Sequence, residues 1–375
     1  MRILAVLNKY DFVNPTRGLL VDAFARRPGV RLVGPGFGEL PRDIADLQSQ
    51  EGKFDVILIE SDLFAFHGEP VHAKITGADR PDWPRDLFDA GLPIVVFNIL
   101  SDLHGAKPDY WRRLRAADAF MVNASSSPQF FKAHAEMVGE ETWIDPRAEY
   151  FAPGTIDDRA LLLPHCVAPG EFIPFGSRRK RHDVAAMGAD YWFRRQTRKW
   201  CAENGVSCVS MMTLSHRILT DYLLKYGDFF WRLWKRRFVK YVEQARLGVT
   251  CDGTIGYPIR KFFEIPAFGV PLAAAFFKDP EALGYKDGQT CFHLSADRFE
   301  RIDEILEAFQ SDAGFARRIA EAGQEMVREC HLVERRAAQL VALLEAIASR
   351  ELRTTRWRDG RQILVRKDGS SSAPL

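Results

Sequence analysis

The feature that most constrains this chain is an alternation, seen twice, of short apolar runs with segments of helical periodicity. In the first half MRILAVLN, RLVGPGF, FDVILIESD, LPIVVFNIL, DAFMVN and RALLLPH read as strands, and TRGLLVDAFARRPG reads as a helix ending near Gly29. Runs such as VILI and IVVF lack polar alternation, which suits strands covered by helices on both faces. Strands separated by helices pair in parallel through crossovers, giving a doubly wound sheet. A second series follows residue 182. HDVAAMGAD reads as a strand and turn, YWFRRQTRKWCAENG as a helix closed by Gly205, and VSCVSM, LGVTCDG, VPLAAAF and TCFHL as strands. FFWRLWKRRFVKYVEQARLG reads as helical, RKFFEIPAFG opens a short helix, and two helices, 300–310 and 314–347, close the series.

Between the series lies APGEFIPFGSRRKRH, with two prolines, two glycines and a basic cluster but no periodicity, which is linker composition. At 375 residues the chain is long enough for two cores. The expected layout is an α/β protein of two Rossmann-like domains facing each other across a cleft. The N-terminal domain is 1–168, the linker 169–182 and the C-terminal domain 183–350, with a loosely ordered polar tail at 351–375. The C-terminal ends of both sheets would line the cleft, where open α/β sheets bind ligands.

Several function classes are disfavoured. Lys plus Arg number 52 against 50 Asp plus Glu, so a net charge of +2 gives no argument for nucleic acid as a partner. No run of ~18 apolar residues occurs and the N-terminus lacks a secretory pattern, so a cytoplasmic location is expected. The six cysteines form no CxxC pair and read as buried thiols in a reducing compartment. ESD (60–62) and SDLHG (101–105) read as turns or caps rather than metal sites, and no metal or cofactor is expected.

The most specific stretch is GYPIRKFFEIPAFGVPLAA, residues 256–274. A helix start offers free N–H groups and a positive dipole end to a phosphate. Arg260 and Lys261 just ahead of it can neutralise a diphosphate, and Glu264 can accept hydrogen bonds from a ribose diol. The plain alternative is a helix whose glutamate faces solvent and whose Gly-Val-Pro is only a turn.

This stretch resembles the C-terminal motif of the GT-B glycosyltransferases of the group 1-like family, and more closely their CgeB-type branch, where Arg or Lys precedes Phe-Glu and Ala-x-Gly. The resemblance continues in IAEAGQEMVRECHLVERRAAQLV (319–341), similar to the family's closing pattern through Ala322, Gly323, His331, Glu334 and Arg336. LLLPHCVAPGEFIP (161–174) and RHDVAAMGAD (181–190) resemble its interdomain strand and the opening strand and turn of its second domain. The matches run from about 160 to 345. They imply metal-independent, retaining transfer of a sugar from a nucleotide donor to an acceptor hydroxyl, in surface glycan or glycoconjugate synthesis. Glu264 would sit on the donor ribose, Lys261 and Arg260 would face the diphosphate, and Gly188 would lie in the turn beside the donor. Many retaining relatives carry a second glutamate eight residues before the ribose-binding one, and that position here is Gly256. Its absence keeps open a non-catalytic sugar-nucleotide binding or assembly protein.

On the acceptor side, Arg17-Gly18 is a candidate tight turn approaching a donor phosphate, or simple helix packing. His104 follows the strand LPIVVFNIL and is a candidate general base, with Asp102 as its substitute; the plain alternative is a capping role. His67 is a similar case, and His165 is expected to hydrogen-bond within the hinge. The acceptor is a glycan, a lipid-linked glycan or a protein. In FFWRLWKRRFVKYV (229–242) aromatic residues recur at three and four with basic residues between them. That pattern fits peripheral contact with an anionic membrane, or aromatics packed on the sheet beneath a solvated basic face.

Overall fold

The computed structural model of the chain describes residues 1–7, 15–34, 37, 44–60, 91–98, 119–122, 160–188, 190–211, 228–252, 258–277 and 279–375. They form two compact units. One comprises Met1–Pro164, Glu334–Arg356 and Gln362–Leu375; the other comprises His165–Val333 and Trp357–Arg361.

The first unit is built on a six-stranded sheet in the order β2-β1-β3-β4-β5-β6. Its strands are β1 (Ile3–Val6), β2 (Val30–Val33), β3 (Val56–Glu60), β4 (Ile94–Asn98), β5 (Ala119–Val122) and β6 (Ala160–Leu162). Every pairing is parallel, with Ile3 in register with both Val30 and Val56. The uninterrupted apolar runs behave as covered strands should, since Ile3–Val6 and Val56–Ile59 are fully buried. Among the described residues α1 (Pro15–Ala25) and α2 (Ile44–Glu51) belong to this unit.

Helix α1 corrects one expectation. Proline is favoured at the first helical position, where its missing N–H costs nothing, and Pro15 opens the helix there. Gly18 is therefore the fourth residue of a helix and not part of a tight turn.

The second unit carries a five-stranded parallel sheet in the order β11-β10-β9-β7-β8. The strands are β7 (His182–Ala185), β8 (Cys208–Val209), β9 (Ala245–Cys251), β10 (Leu272–Ala275) and β11 (Phe292–His293). The described helices are α3 (Trp192–Glu203), α4 (Asp228–Glu243), α5 (Lys261–Ala267), α6 (Arg301–Ser311) and α7 (Ala313–Cys330). Val184, Leu247, Val249, Cys251 and Ala273 present one sheet face to Phe193 and Cys201 of α3, Ile302 and Ile305 of α6 and Ile319 of α7. From β7 the chain moves to β8 on one side, then returns to lay β9 on the other. The direction of winding thus reverses between β7 and β9, and a crevice opens there at the carboxyl ends of the strands.

Three further expectations are corrected. The segment 314–347 is two helices, because α7 ends at Cys330 and α8 begins afresh as Val333–Ala348. Between them the backbone pairs sideways. Leu332 bridges to Val167, the Val167 N–H donates to His331 O at 3.0 Å, and the Val333 N–H donates to Val167 O at 2.9 Å. His331 is fully buried, with Nε2 2.9 Å from Leu283 O and its ring edge-on to Phe263.

The second unit also starts at His165 rather than 183 and stops at Val333 rather than 350, so α8 belongs to the first unit. There Arg27 Nη2 donates to Glu334 O at 2.7 Å, and Ala337, Leu340 and Leu344 give α8 a buried face.

Finally, 351–375 is no loose tail. It forms the strands β12 (Leu352–Arg358) and β13 (Arg361–Arg366) around Asp359-Gly360, whose φ values of 47° and 77° suit the two-residue hairpin turn with both central residues left-handed. Leu364 and Val365 are buried, and the Leu375 N–H donates to Gln362 O at 2.8 Å.

Candidate functional site

Helix α5 is short for a covalent reason. Pro266 has no N–H to continue the ladder, and Gly269 at φ 64° turns the chain back toward β10. A Cβ on Gly269 would lie 2.5 Å from Ile173 O and 2.8 Å from Phe175 N, so this turn rests on the segment entering the unit. Gln324 of α7 fastens the two, donating through Nε2 to Ile173 O at 2.8 Å and Ala267 O at 2.9 Å. Phe262, Phe263 and Ile265 are buried and fix the rotation of the helix. Arg260 and Glu264 are then one turn apart on a single side.

Glu264 does not face solvent. Its buried carboxylate accepts a hydrogen bond from Lys235 of α4 at Oε1, and Arg260 Nε lies 3.1 Å from the same oxygen. Glu171 completes the group. Its Oε1 lies 2.6 Å from Arg260 Nη2 and 3.3 Å from Lys235 Nζ, while Oε2 accepts the Ala168 N–H at 3.0 Å. Burial alone would raise the Glu264 pKa. Arg260, Lys235 and Lys261 outweigh it and hold the carboxyl well below the usual carboxylate range. Two acids and two bases leave this cluster without net charge.

Lys261 stands outside that balance. Among the described residues it enters no ion pair, and its Nζ lies 5.8 Å from the centre of the Phe238 ring. Burial, with Arg194 beside it, lowers its pKa to about 8, an effect Glu264 only partly offsets. The neighbour across from it is Gly188, in the turn after β7. At φ 108° a Cβ there would meet Lys261 Cε at 2.4 Å, Lys261 Nζ at 2.7 Å and Arg194 Nη1 at 2.7 Å. Arg194 is buried, donates from Nη1 to Met187 O at 3.2 Å and stacks over Tyr191 at 4.5 Å. Asp252 follows β9 directly. Its N–H donates to Ala275 O at 3.0 Å, and burial raises its carboxyl to about 6.

The end of the sheet between β7 and β9 thus holds a glycine turn, an ammonium and a guanidinium drawn together, and a carboxyl that titrates near neutrality. Chemically it can grip a polyanion in a site of reduced solvation, where each charge counts for more than in water.

Of the candidates read from the sequence, Glu264, Lys261, Arg260 and Gly188 come together here. Arg260 is committed to Glu171 and Glu264 rather than standing beside Lys261 as a second open cation. The expected row of free amides is also absent: the N–H groups of Phe262, Phe263 and Glu264 already donate to Ile259 O, Arg260 O and Arg260 O, each at 3.0 Å. The positive end is made by side chains. Gly18 lies in α1 of the first unit. The side chain of Arg17, and all of Asp102, His104, His67 and Gly256, lie outside the described residues. His165 is buried with its ring edge-on to Phe263. Among the described residues no group of three metal-ligating side chains occurs, and no helix is long and apolar enough to cross a membrane.

Four participants were missed in the sequence: Lys235, Glu171, Arg194 and Asp252. The pattern at 229–242 offers Lys235 to a membrane or to a solvated basic face, whereas its ammonium reaches Glu264 and Glu171. Lys235 lies three residues before Phe238 and seven before Val242, both buried, so its place on the inward stripe was visible in the spacing. Arg194 likewise shares a face with Thr197 and Cys201, both fully buried. The described aromatics of α4 pack inward, Trp234 stacking on Phe238 at 5.4 Å and Phe238 meeting Phe268 edge-on at 6.2 Å, while Arg236, Arg237 and Lys240 are exposed.

Comparison with known proteins bears on the fold and on one segment of the chain. Residues 217–342 match a protein family described as Glycosyl transferase-like. That span contains the whole of α5 and the cluster's Lys235. No curated protein sequence matches the chain. Among solved structures, Anabaena HepE in complex with UDP-glucose is similar at a TM-score of 0.52 and 13% identity, covering 92% of this chain and all of that one. The same protein with UDP and glucose gives 0.50 and 14% over the same shares. A glycosyltransferase from Rickettsia africae ESF-5 gives 0.51 and 10%, covering 92% of this chain and 98% of that one. The chain therefore has the α/β fold of the GT-B glycosyltransferases, and its residues 217–342 are similar to the family described as Glycosyl transferase-like.

Proposed function

We propose that this protein transfers a sugar from a nucleotide-activated donor, a uridine diphosphate sugar first among them, to an acceptor hydroxyl. The observation that carries this is the Lys261 ammonium, held without an acid partner among the described residues against the Gly188 turn where the winding of the chain reverses. A donor diphosphate supplies the charge this place lacks. HepE, similar in fold, is seen with UDP-glucose.

In this reading Lys261, with Arg194 behind it, faces the diphosphate. As the bond from the anomeric carbon to the diphosphate oxygen breaks, negative charge builds on that oxygen, and a fixed cation stabilises it more in the transition state than in the bound donor. A new bond forms from the anomeric carbon to the acceptor oxygen, whose proton passes to a base or to the departing phosphate. His104 and Asp102 are the proposed carriers of that step. Glu264 holds the ribose hydroxyls through Oε2, since Oε1 is engaged by Lys235 and Arg260.

Retention of configuration, independence of metal, membership of the CgeB-type branch and action in the cytoplasm on a surface glycan, lipid-linked glycan or protein belong to the same proposal, on the strength of the motif. So does peripheral contact of the exposed α4 cations with an anionic membrane.

The test is a thermal-shift panel of nucleotides and nucleotide sugars, followed by donor consumption with acceptor extracts. UDP or a UDP-sugar is expected to raise the melting temperature, and Lys261→Met to abolish the rise. If no nucleotide stabilises the protein, the proposal fails. Stabilisation without donor turnover in any extract favours the second reading, a sugar-nucleotide binding protein, which the glycine at position 256 already suggests.

A further inference from the structure

A second cationic place lies at the opposite end of the same strands. Lys180 precedes β7 and Arg246 is the second residue of β9, so both sit where the strands begin, while Gly188 and Asp252 follow where they end. With Phe175, Phe309, Gln310 and Ala316 they line a half-open cavity of about 230 Å³. Among the described residues two cations line it and no carboxylate does. Arg246 Nη1 reaches Asp183 Oδ1 only at 3.5 Å, and Lys180 Nζ donates to the Glu243 backbone oxygen at 3.0 Å rather than to its carboxylate, which is taken by Arg178 at 2.7 Å. Burial lowers Lys180 to about 8, an effect the nearby Glu243 carboxylate only partly offsets. Rings line the cavity beside the charges. Phe175 has Lys180 at 5.5 Å and Arg317 at 5.6 Å from its centroid, and Phe309 is buried at the end of α6.

We infer that this cavity is a binding site for a small phosphorylated sugar, distinct from the donor site: the phosphate between Lys180 and Arg246, the sugar ring against Phe175 and Phe309, and a hydroxyl on the Gln310 amide. The volume suits a monosaccharide phosphate rather than a nucleotide sugar. Pairing an ammonium and a guanidinium with apolar walls is the composition of a small-ligand pocket. The inference stands apart from the transfer reaction, because none of these residues belongs to the β7–β9 end.

The test is titration calorimetry on the full chain at pH 7 with glucose 1-phosphate, inorganic phosphate and glucose as probes. Glucose 1-phosphate is expected to bind, inorganic phosphate at least ten-fold more weakly, and glucose without measurable heat. Lys180→Met and Arg246→Gln should each weaken binding at least five-fold, and Phe175→Ala should do so without altering charge. Lys261→Met should leave it within two-fold. Binding that survives Lys180→Met combined with Arg246→Gln overturns the site. Loss of binding in Lys261→Met places the probe at the donor end and overturns it equally. Equal affinity for inorganic phosphate removes the sugar from the proposal, and no heat from any probe ends it. The thermal response to UDP is scored separately, so the failure of one site leaves the other standing.

Discussion

Gly188 and Lys261 occupy space that a single methyl group would contest: a Cβ on the glycine would come within 2.4 Å of the lysine Cε and 2.7 Å of its Nζ. The turn after β7 and the side chain from α5 are fitted to each other, although 73 residues separate them in sequence.

Replacing Gly188 by alanine is expected to push the ammonium aside and to strain a backbone at φ 108° that L residues rarely adopt. A loss of about 1–3 kcal/mol in unfolding free energy is expected by urea titration. UDP affinity should fall by at least ten-fold in the same preparation. Unchanged affinity would show that Lys261 does not need this turn.

Lys261→Met should separate stability from binding. Burial depresses the lysine from its ordinary 10.5 to about 8, so the folded state carries a charge it disfavours. Removing that charge while keeping the stem is expected to stabilise the protein by about 1–3 kcal/mol at pH 7. Nucleotide binding should disappear. A destabilised variant would mean that the ammonium has a partner after all.

The same depression sets a pH dependence with a definite sign. Lys261 is charged below pH 8 and loses its proton above it, so UDP affinity should be flat from pH 6.5 to 7.5 and fall by up to about ten-fold per unit beyond pH 8. Its contribution to stability runs the other way. The cost is fully present below pH 8 and is relieved between pH 8 and 10.5, where the unfolded chain holds the proton more tightly. Calorimetric affinity and denaturation midpoints over one pH series check both halves.

Glu264→Gln leaves Lys235 and Arg260 with one carboxylate between them, and Lys235→Met leaves the acids with one cation fewer. Each single change is expected to cost about 2–4 kcal/mol, because a charge out of water loses its counterpart. The double variant should cost less than the sum by about 1–3 kcal/mol. A strictly additive cycle would mean that the short contact between the two is not energetically significant.

How much of this was written in the sequence depends on the range of the interaction. The strands of both sheets followed from uninterrupted runs such as VILI, because a covered parallel strand needs apolar residues on both faces. Lys261, Glu264 and Gly188 were found from a local motif. Glu171 was not, because its role depends on meeting Arg260 across 89 residues, and no local pattern encodes such a meeting. The break at His331 was hidden for a similar reason: a helical pattern continues through it, and only the pairing of Leu332 with Val167 stops the helix. The hairpin at 352–366 is legible in its turn residues. Asp-Gly between two runs of strand-forming residues is a hairpin signal in its own right, and the arginines around it disguised it as a tail.

Glu171 faces two ways. One oxygen caps the short turn at Pro169–Glu171 and the other receives Arg260 and Lys235. Whoever cuts this protein to isolate its second half must therefore begin upstream of that turn. A piece starting at residue 176 would retain every strand of the five-stranded sheet yet leave two half-buried bases sharing one acid, and it would report on a charge pattern the intact chain never has.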